Sequence, residues 1–175
     1  MRNPCYQDFS DYAAEVAKCL PARLYADLVG KPFAAGGRGP DVFDCVGLAA
    51  EIQRRRGLAV PEFYSSEAEL HRQIAAGGFL ADCQRVRKPE PGCVALLKMG
   101  LHEHHLGTMV SQHRILHTTA QTRGVVVESI LGPLFKNRIL GFYLLASEPA
   151  SQRVSEKRFA PGLGAYSNGD EGARP

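Results

Sequence analysis

Long apolar runs are missing from this chain. Nowhere among its 175 residues do 18 or more apolar side chains follow one another, so no helical membrane span and no membrane insertion are expected. Paired cysteines are missing as well. Cys5, Cys19, Cys45, Cys83 and Cys93 make an odd count with no CxxC pair, which argues against a disulfide framework and against a zinc ribbon. A strong charge of either sign is absent: the formal net charge is +3 and the basic residues are scattered, so no nucleic-acid partner is expected. The one tight basic run, Arg54-Arg55-Arg56, falls late on an expected helix, where cations suit the C-terminal dipole and a solvated helix end is the reading. No internal repeat stands out. The opening Met1-Arg2-Asn3-Pro4, followed by Asp8, Asp11 and Glu15, lacks the apolar core of a secretory signal. Synthesis in the cytoplasm is therefore expected, with any target in the cell envelope reached by another route.

What is present suits one soluble domain. The length can bury a real core, and 45% hydrophobic with 22% charged residues is ordinary for a globular protein. Helical spacing runs over 8–29, with Tyr12, Val16, Cys19 and Leu20 on one side, a break at Pro21, and Leu24, Tyr25 and Leu28 resuming the stripe. A glycine- and proline-rich loop covers 33–43. Asp44 then reads as the N-cap of a helix over 45–56, stopped at Gly57. Ser65-Ser66 opens a third helix, closed by Gly77-Gly78. From there the period changes to short β-type runs at 80–87, 94–99, 105–111, 114–119, 125–130 and 139–145, separated by turn residues such as Pro91-Gly92, Gly124 and Gly132-Pro133. Helices first and strands later predict an α+β domain over 1–147, with N-terminal helices packed on a C-terminal antiparallel sheet. The polar, glycine-rich stretch 148–175 reads as a flexible tail.

Chemistry concentrates at Cys45. A thiol is a strong nucleophile only as its thiolate, and a helix N-terminus together with an imidazole favours that form. Cys45 sits at the start of the expected helix, and His105 and His117, 12 residues apart, fall on two strands joined by a turn at Ser111-Gln112-His113. Adjacent antiparallel strands bring such residues together on one face, as a general base and its orienting partner require. Cys19, Cys83 and Cys93 lie among apolar neighbours and read as small buried hydrophobes. His102, Glu103, His104 and His105 are dense enough to raise metal binding, yet on an extended strand His102 and His104 point away from His105, and the cysteines lack zinc spacing. No metal and no cofactor are expected. Asp44 is awkward beside Cys45, since its charge opposes thiolate formation. It needs a task of its own, either capping the helix or binding a cationic group of a substrate.

These residues resemble those of NlpC-type cell-wall cysteine peptidases, a compact branch of the papain-like fold. The resemblance is carried by Gly36-Gly37, then Asp44-Cys45-x-Gly47-Leu48, then His105-x-Gly107, then Leu116-His117-Thr118. It implies Cys45 as nucleophile, His105 as general base and His117 as its orienting residue. The implied reaction is hydrolysis of a peptide-stem amide of peptidoglycan, typically between D-glutamate and diaminopimelate. Asp44 matches a position that can bind a substrate amine, and Phe33 and Arg38 are the further substrate-side candidates. Departures are visible: Phe33 stands where many members carry tyrosine, Val46 where serine is frequent, and Cys93 follows Pro91-Gly92 where aspartate is familiar. The run from Gly30-Lys31-Pro32-Phe33 to Asp41 is most similar to the branch encoded with phage and prophage tail genes. That likeness implies tail proteins as partners and delivery to the envelope with a particle. Two other readings fit the same residues: a structural tail-assembly protein that keeps the fold without the chemistry, and acyl transfer or thioester cleavage through the same thiol.

Overall fold

The computed structural model describes residues 18–60, 66–75, 83–99 and 104–145. The readings made for 8–17, for His102 and Glu103, and for the tail at 148–175 lie outside these residues. Within them the expected α+β architecture is found. Helix α1 (Cys45–Arg55) and helix α2 (Glu67–Ala75) accompany a six-stranded sheet made of β1 (Cys83–Val86), β2 (Val94–Lys98), β3 (His104–Met109), β4 (Arg114–Thr118), β5 (Val125–Ser129) and β6 (Ile139–Leu145). The spatial order is β1-β6-β2-β3-β4-β5, and every neighbouring pair is antiparallel.

The entry to the domain differs from the helix expected over 8–29. Its described part holds two 3-10 turns, Ala22–Leu24 and Ala26–Leu28. Leu24 donates its N–H to Pro21 O, Tyr25 to Ala22 O and Leu28 to Tyr25 O, each three residues back. Pro21 has no N–H to offer and crowds the preceding turn, so an α-helical ladder does not cross it. The apolar stripe nevertheless turns inward, with Leu20 and Leu28 buried beside Leu48, Ile52 and Leu116. Cys19 is exposed rather than buried, because the inward position at this turn belongs to Leu20, whose N–H donates to Val110 O at 2.7 Å. Cys93 is buried as expected and Cys83 is half-buried on the edge strand.

In the basic run at the end of α1, Arg54 is exposed as expected, whereas Arg55 and Arg56 are half-buried and engaged. Arg55 forks onto Asp27 at 2.5 and 2.9 Å and reaches Glu51 at 2.9 Å, which ties α1 to the second 3-10 turn. Arg56 donates to Gly92 O at 2.7 Å, joining the helix end to the turn before β2.

The sheet is covered on both faces. Strand side chains alternate in direction. Leu106 of β3 joins Cys45, Val46, Ala49 and Leu96 in a cluster under α1, and α1 lies across β3 and β4. Met109 of β3 and Ile115 of β4 join Cys93, Leu97 and Phe135 on the other face.

Two glycines permit close approaches that set this geometry. A Cβ on Gly47 would lie 2.1 Å from Gly37 O, so the first turn of α1 rests directly on the backbone of the glycine-rich loop. A Cβ on Gly107 would lie 2.4 Å from Ile115 Cδ1 and 3.2 Å from His117 Cβ, so β3 leaves room for β4 side chains at that point. Alanine in a helix interior ordinarily gains about 1 kcal/mol over glycine. Gly47→Ala is expected to go the other way, losing about 1–3 kcal/mol to overpacking against backbone that must move. Urea denaturation measures the sign, and a stabilised variant would contradict the contact.

Candidate active site

Asp44 builds the entrance to α1. Its extended backbone (φ −97°, ψ 178°) and its side chain make it the N-cap, with Oδ1 accepting from Gly47 N–H at 2.7 Å. Oδ2 accepts from Gly36 N–H at 3.1 Å, and the Arg38 guanidinium pairs with Oδ1. Asp44 N–H in turn donates to Gly37 O at 2.9 Å. The Gly36-Gly37 and Asp44-Cys45-x-Gly47 motifs are thus one packing unit, which fixes where Cys45 starts the helix. The awkward charge is answered internally, since Asp44 is only 3% exposed and holds two amides and a guanidinium. Of its two candidate tasks, capping is the one its contacts display.

A cleft of about 480 Å³ opens where β3 begins, β4 ends and α1 starts. Cys45, Asp44 and Phe33 line it from the loop and helix side, and His104 and His105 from β3. The turn Thr118 to Thr122 forms a neutral polar wall, and Arg138 stands near the start of β6. Among the expected residues, Cys45, His105, Asp44 and Phe33 are therefore brought to one cleft. His117 sits behind His105 rather than at the cleft surface, and Arg38 is turned onto Asp44 instead of lining the cleft.

The two histidines meet through register. Strands β3 and β4 pair Thr108 with Leu116 and Met109 with Ile115. Continuing that register sets His117 across from Gly107 and diagonal to His105, on the same face. The diagonal is normally long for side-chain contact, and the missing Cβ of Gly107 leaves the space. His105 Nε2 lies 3.2 Å from His117 Nδ1, with the rings edge to face at 83°. Phe135 closes the other side of the His117 ring at 5.4 Å between centroids.

A residue not anticipated from the sequence completes the line. His117 Nε2 lies 2.9 Å from Glu128 Oε2 on β5. A carboxylate can only accept, so Nε2 of His117 carries a proton and Nδ1 of the neutral ring is an acceptor. His105 then donates its Nε2–H to that acceptor, which leaves His105 Nδ1 with its lone pair free to take a proton. His117 is fully buried while the Glu128 side chain is 41% exposed, so the relay runs from solvent to cleft. Burial holds both histidines below their ordinary range. For His105 the shift is large, down to about 3, with the neighbouring His117 as a second cause; for His117 the nearby Glu128 works against the desolvation. Burial thus favours the neutral form of both rings, the state a general base and an accepting partner need. The one clue in sequence is that Glu128 is an acid following three valines, Val125-Val126-Val127; nothing there says which histidine it meets.

Among the described residues no group of three or more His, Cys, Asp or Glu side chains could hold a metal, and no helix is long and apolar enough to cross a membrane.

Comparison with known proteins bears on the family and the fold. Residues 30–143 match the model of the NlpC/P60 family. The chain is 25% identical over 116 residues to a probable endopeptidase p60 of Listeria welshimeri and 26% identical over 116 residues to that of Listeria seeligeri. In both cases 65% of this chain is covered but only 20% of the relative, so the chain spans about one fifth of their length. An NLP/P60-family protein of Staphylococcus aureus, described as similar to a lipoprotein, superposes with a TM-score of 0.54 at 13% identity over 77% of this chain and 42% of that one. NlpC1 from Trichomonas vaginalis superposes with a TM-score of 0.51 at 16% identity, over 70% of this chain and 43% of that one. At such identities these two likenesses speak for the fold alone. With the family match running from the turn before the glycine-rich loop to the last strand, this chain belongs to the NlpC/P60 family.

Proposed function

We propose that the protein is a cysteine peptidase that hydrolyses a peptide-stem amide of peptidoglycan. The observation that carries this reading is the line His105–His117–Glu128, hydrogen-bonded at 3.2 and 2.9 Å, behind a cleft that Cys45 and His105 line together. The name of the Listeria relatives, probable endopeptidase p60, supports the peptidase class. The D-glutamate–diaminopimelate bond is the proposed scissile amide. A tail-associated, particle-delivered protein with phage tail partners is the proposed setting, supported by the likeness of the run 30–41 to that branch.

In the proposed reaction the Cys45 thiol gives its proton to Nδ1 of His105, and the thiolate sulfur bonds to the carbonyl carbon. The oxyanion is met by backbone N–H groups at the start of α1, that of Cys45 included. Collapse breaks the C–N bond, and the His105 imidazolium returns the proton to the leaving amine. Water then gives a proton to His105, its oxygen bonds to the thioester carbon, the C–S bond breaks, and His105 returns its proton to the Cys45 sulfur, leaving the thiol and a carboxylic acid product that ionises in solution. Throughout, Nε2–H of His105 stays on Nδ1 of His117. Glu128 keeps His117 in the tautomer that can accept it, which makes both His117 and Glu128 positioning residues.

On defined muropeptides followed by mass spectrometry, Cys45→Ala is expected to remove turnover with folding retained; residual cleavage would displace Cys45 as nucleophile. His105→Ala should cost about 10²–10⁴-fold in kcat, and His117→Ala less. Glu128→Ala should lower kcat more than Glu128→Gln, which keeps an accepting oxygen, with KM little changed; equal losses would mean that tautomer control is not the role of Glu128. Since burial depresses His105, protonation removes the base only at low pH. The acidic limb of Cys45 alkylation should therefore fall well below the ordinary imidazole value of 6.5, and a midpoint at or above 6.5 would contradict a buried neutral base.

A further inference from the structure

Two charged side chains line the cleft among the described residues, Asp44 and Arg138, and they are in opposite states. Asp44 is almost fully buried. Its Oδ1 accepts from Gly47 N–H and pairs with Arg38, and its Oδ2 accepts from Gly36 N–H. An ammonium group entering the cleft would have to displace Arg38, on a carboxylate to which it has almost no access. Arg138 is half-buried. Its backbone is fixed on both sides, its N–H donating to Phe135 O at 3.1 Å and its carbonyl accepting from Lys98 N–H at 2.8 Å. Its guanidinium, by contrast, has only the Met99 sulfur at 4.0 Å, and no carboxylate among the described residues pairs with it. Lys98 is close enough for its charge to help hold His104, another cleft residue, below the ordinary imidazole range, behind the larger effects of burial and His71. This wall of the cleft is therefore electropositive.

We propose that Arg138 is the carboxylate-binding residue of this cleft, so that the group seated beside Cys45 belongs to an acidic peptide and an ammonium-bearing group is refused. The inference rests on Cys45 being the working thiol, as proposed above. A guanidinium presents paired N–H donors in the planar fork that a carboxylate accepts, and a half-buried cation without an anion gains most from a ligand that supplies one. Asp44 cannot supply it, because its charge is balanced by Arg38. Phe33 adds no hydroxyl and Val46 is fully buried, so neither offers an ammonium group a partner.

Three alkylating agents read the cleft without knowledge of the substrate. Iodoacetate is anionic, iodoacetamide neutral and 2-bromoethylamine cationic. The folded full-length protein is treated with each at neutral pH and low salt, and modification of Cys45 is followed by peptide mapping. The iodoacetate to iodoacetamide rate ratio should fall about three- to tenfold in Arg138→Gln, the scale of one unit charge acting across a partly solvated cleft. It should be retained in Arg138→Lys, which keeps the charge, and should decline with added salt. Arg38→Met, which releases Asp44, should raise the relative rate of 2-bromoethylamine. An unchanged iodoacetate ratio in Arg138→Gln, with Cys45 still reactive, overturns the carboxylate site and leaves the peptidase reading standing. A Cys45 that no agent modifies in the folded protein, though all do after denaturation, overturns both.

Discussion

The carboxylate of Asp44 is the point on which this site depends. One side chain caps α1 through Gly47, gathers the glycine-rich loop through Gly36, and carries the guanidinium of Arg38. The loop cannot drift from the helix without leaving a buried carboxylate short of donors, which is expensive in an environment with little water. Because Gly47 packs on Gly37 with no room for a Cβ, the same contact sets the height of the first helical turn. The position of Cys45 follows from it. A negative charge next to a nucleophilic thiol is unfavourable in isolation, and here it is tolerable because Arg38 and two amides balance it.

The second constraint is burial on the sheet. His105 and His117 are buried at the open end of the β3–β4 hairpin, where an imidazolium is costly and a neutral ring is not. Hydrogen bonding then has direction: the exposed end of Glu128 fixes a proton on His117, and that proton fixes which nitrogen of His105 is free. The face away from α1 contributes through Phe135, which closes over His117. The relay is therefore a product of three adjacent strands, β3, β4 and β5, in one register.

Much of this was legible in the sequence because its signals are local. The order of elements, the cap at Asp44, all six strands and the pairing of His105 with His117 follow from period, turn residues and spacing. The failures share a cause. The break expected at Pro21 is found, but the helix expected to resume after it is replaced by two 3-10 turns, since apolar spacing over so few residues does not separate the two. Cys19 turned outward because Leu20 took the inward place. Arg55 and Arg56 look like a solvated helix end until Asp27 and Gly92, remote in sequence, are brought beside them.

By itself the sequence determined the class of fold and singled out Cys45, His105 and His117 as the residues proposed for the chemistry, because a thiol at a helix start and alternating strand residues have short-range signatures. Only the tertiary structure decided that Glu128 stands behind His117, that Arg38 rather than the cleft receives the charge of Asp44, and that Arg138 lines the cleft with no carboxylate pairing with it among the described residues. Each of these is a contact between segments far apart along the chain. Charge and hydrogen-bond partners are set by distance in space, and distance in space is fixed by the packing of the whole sheet.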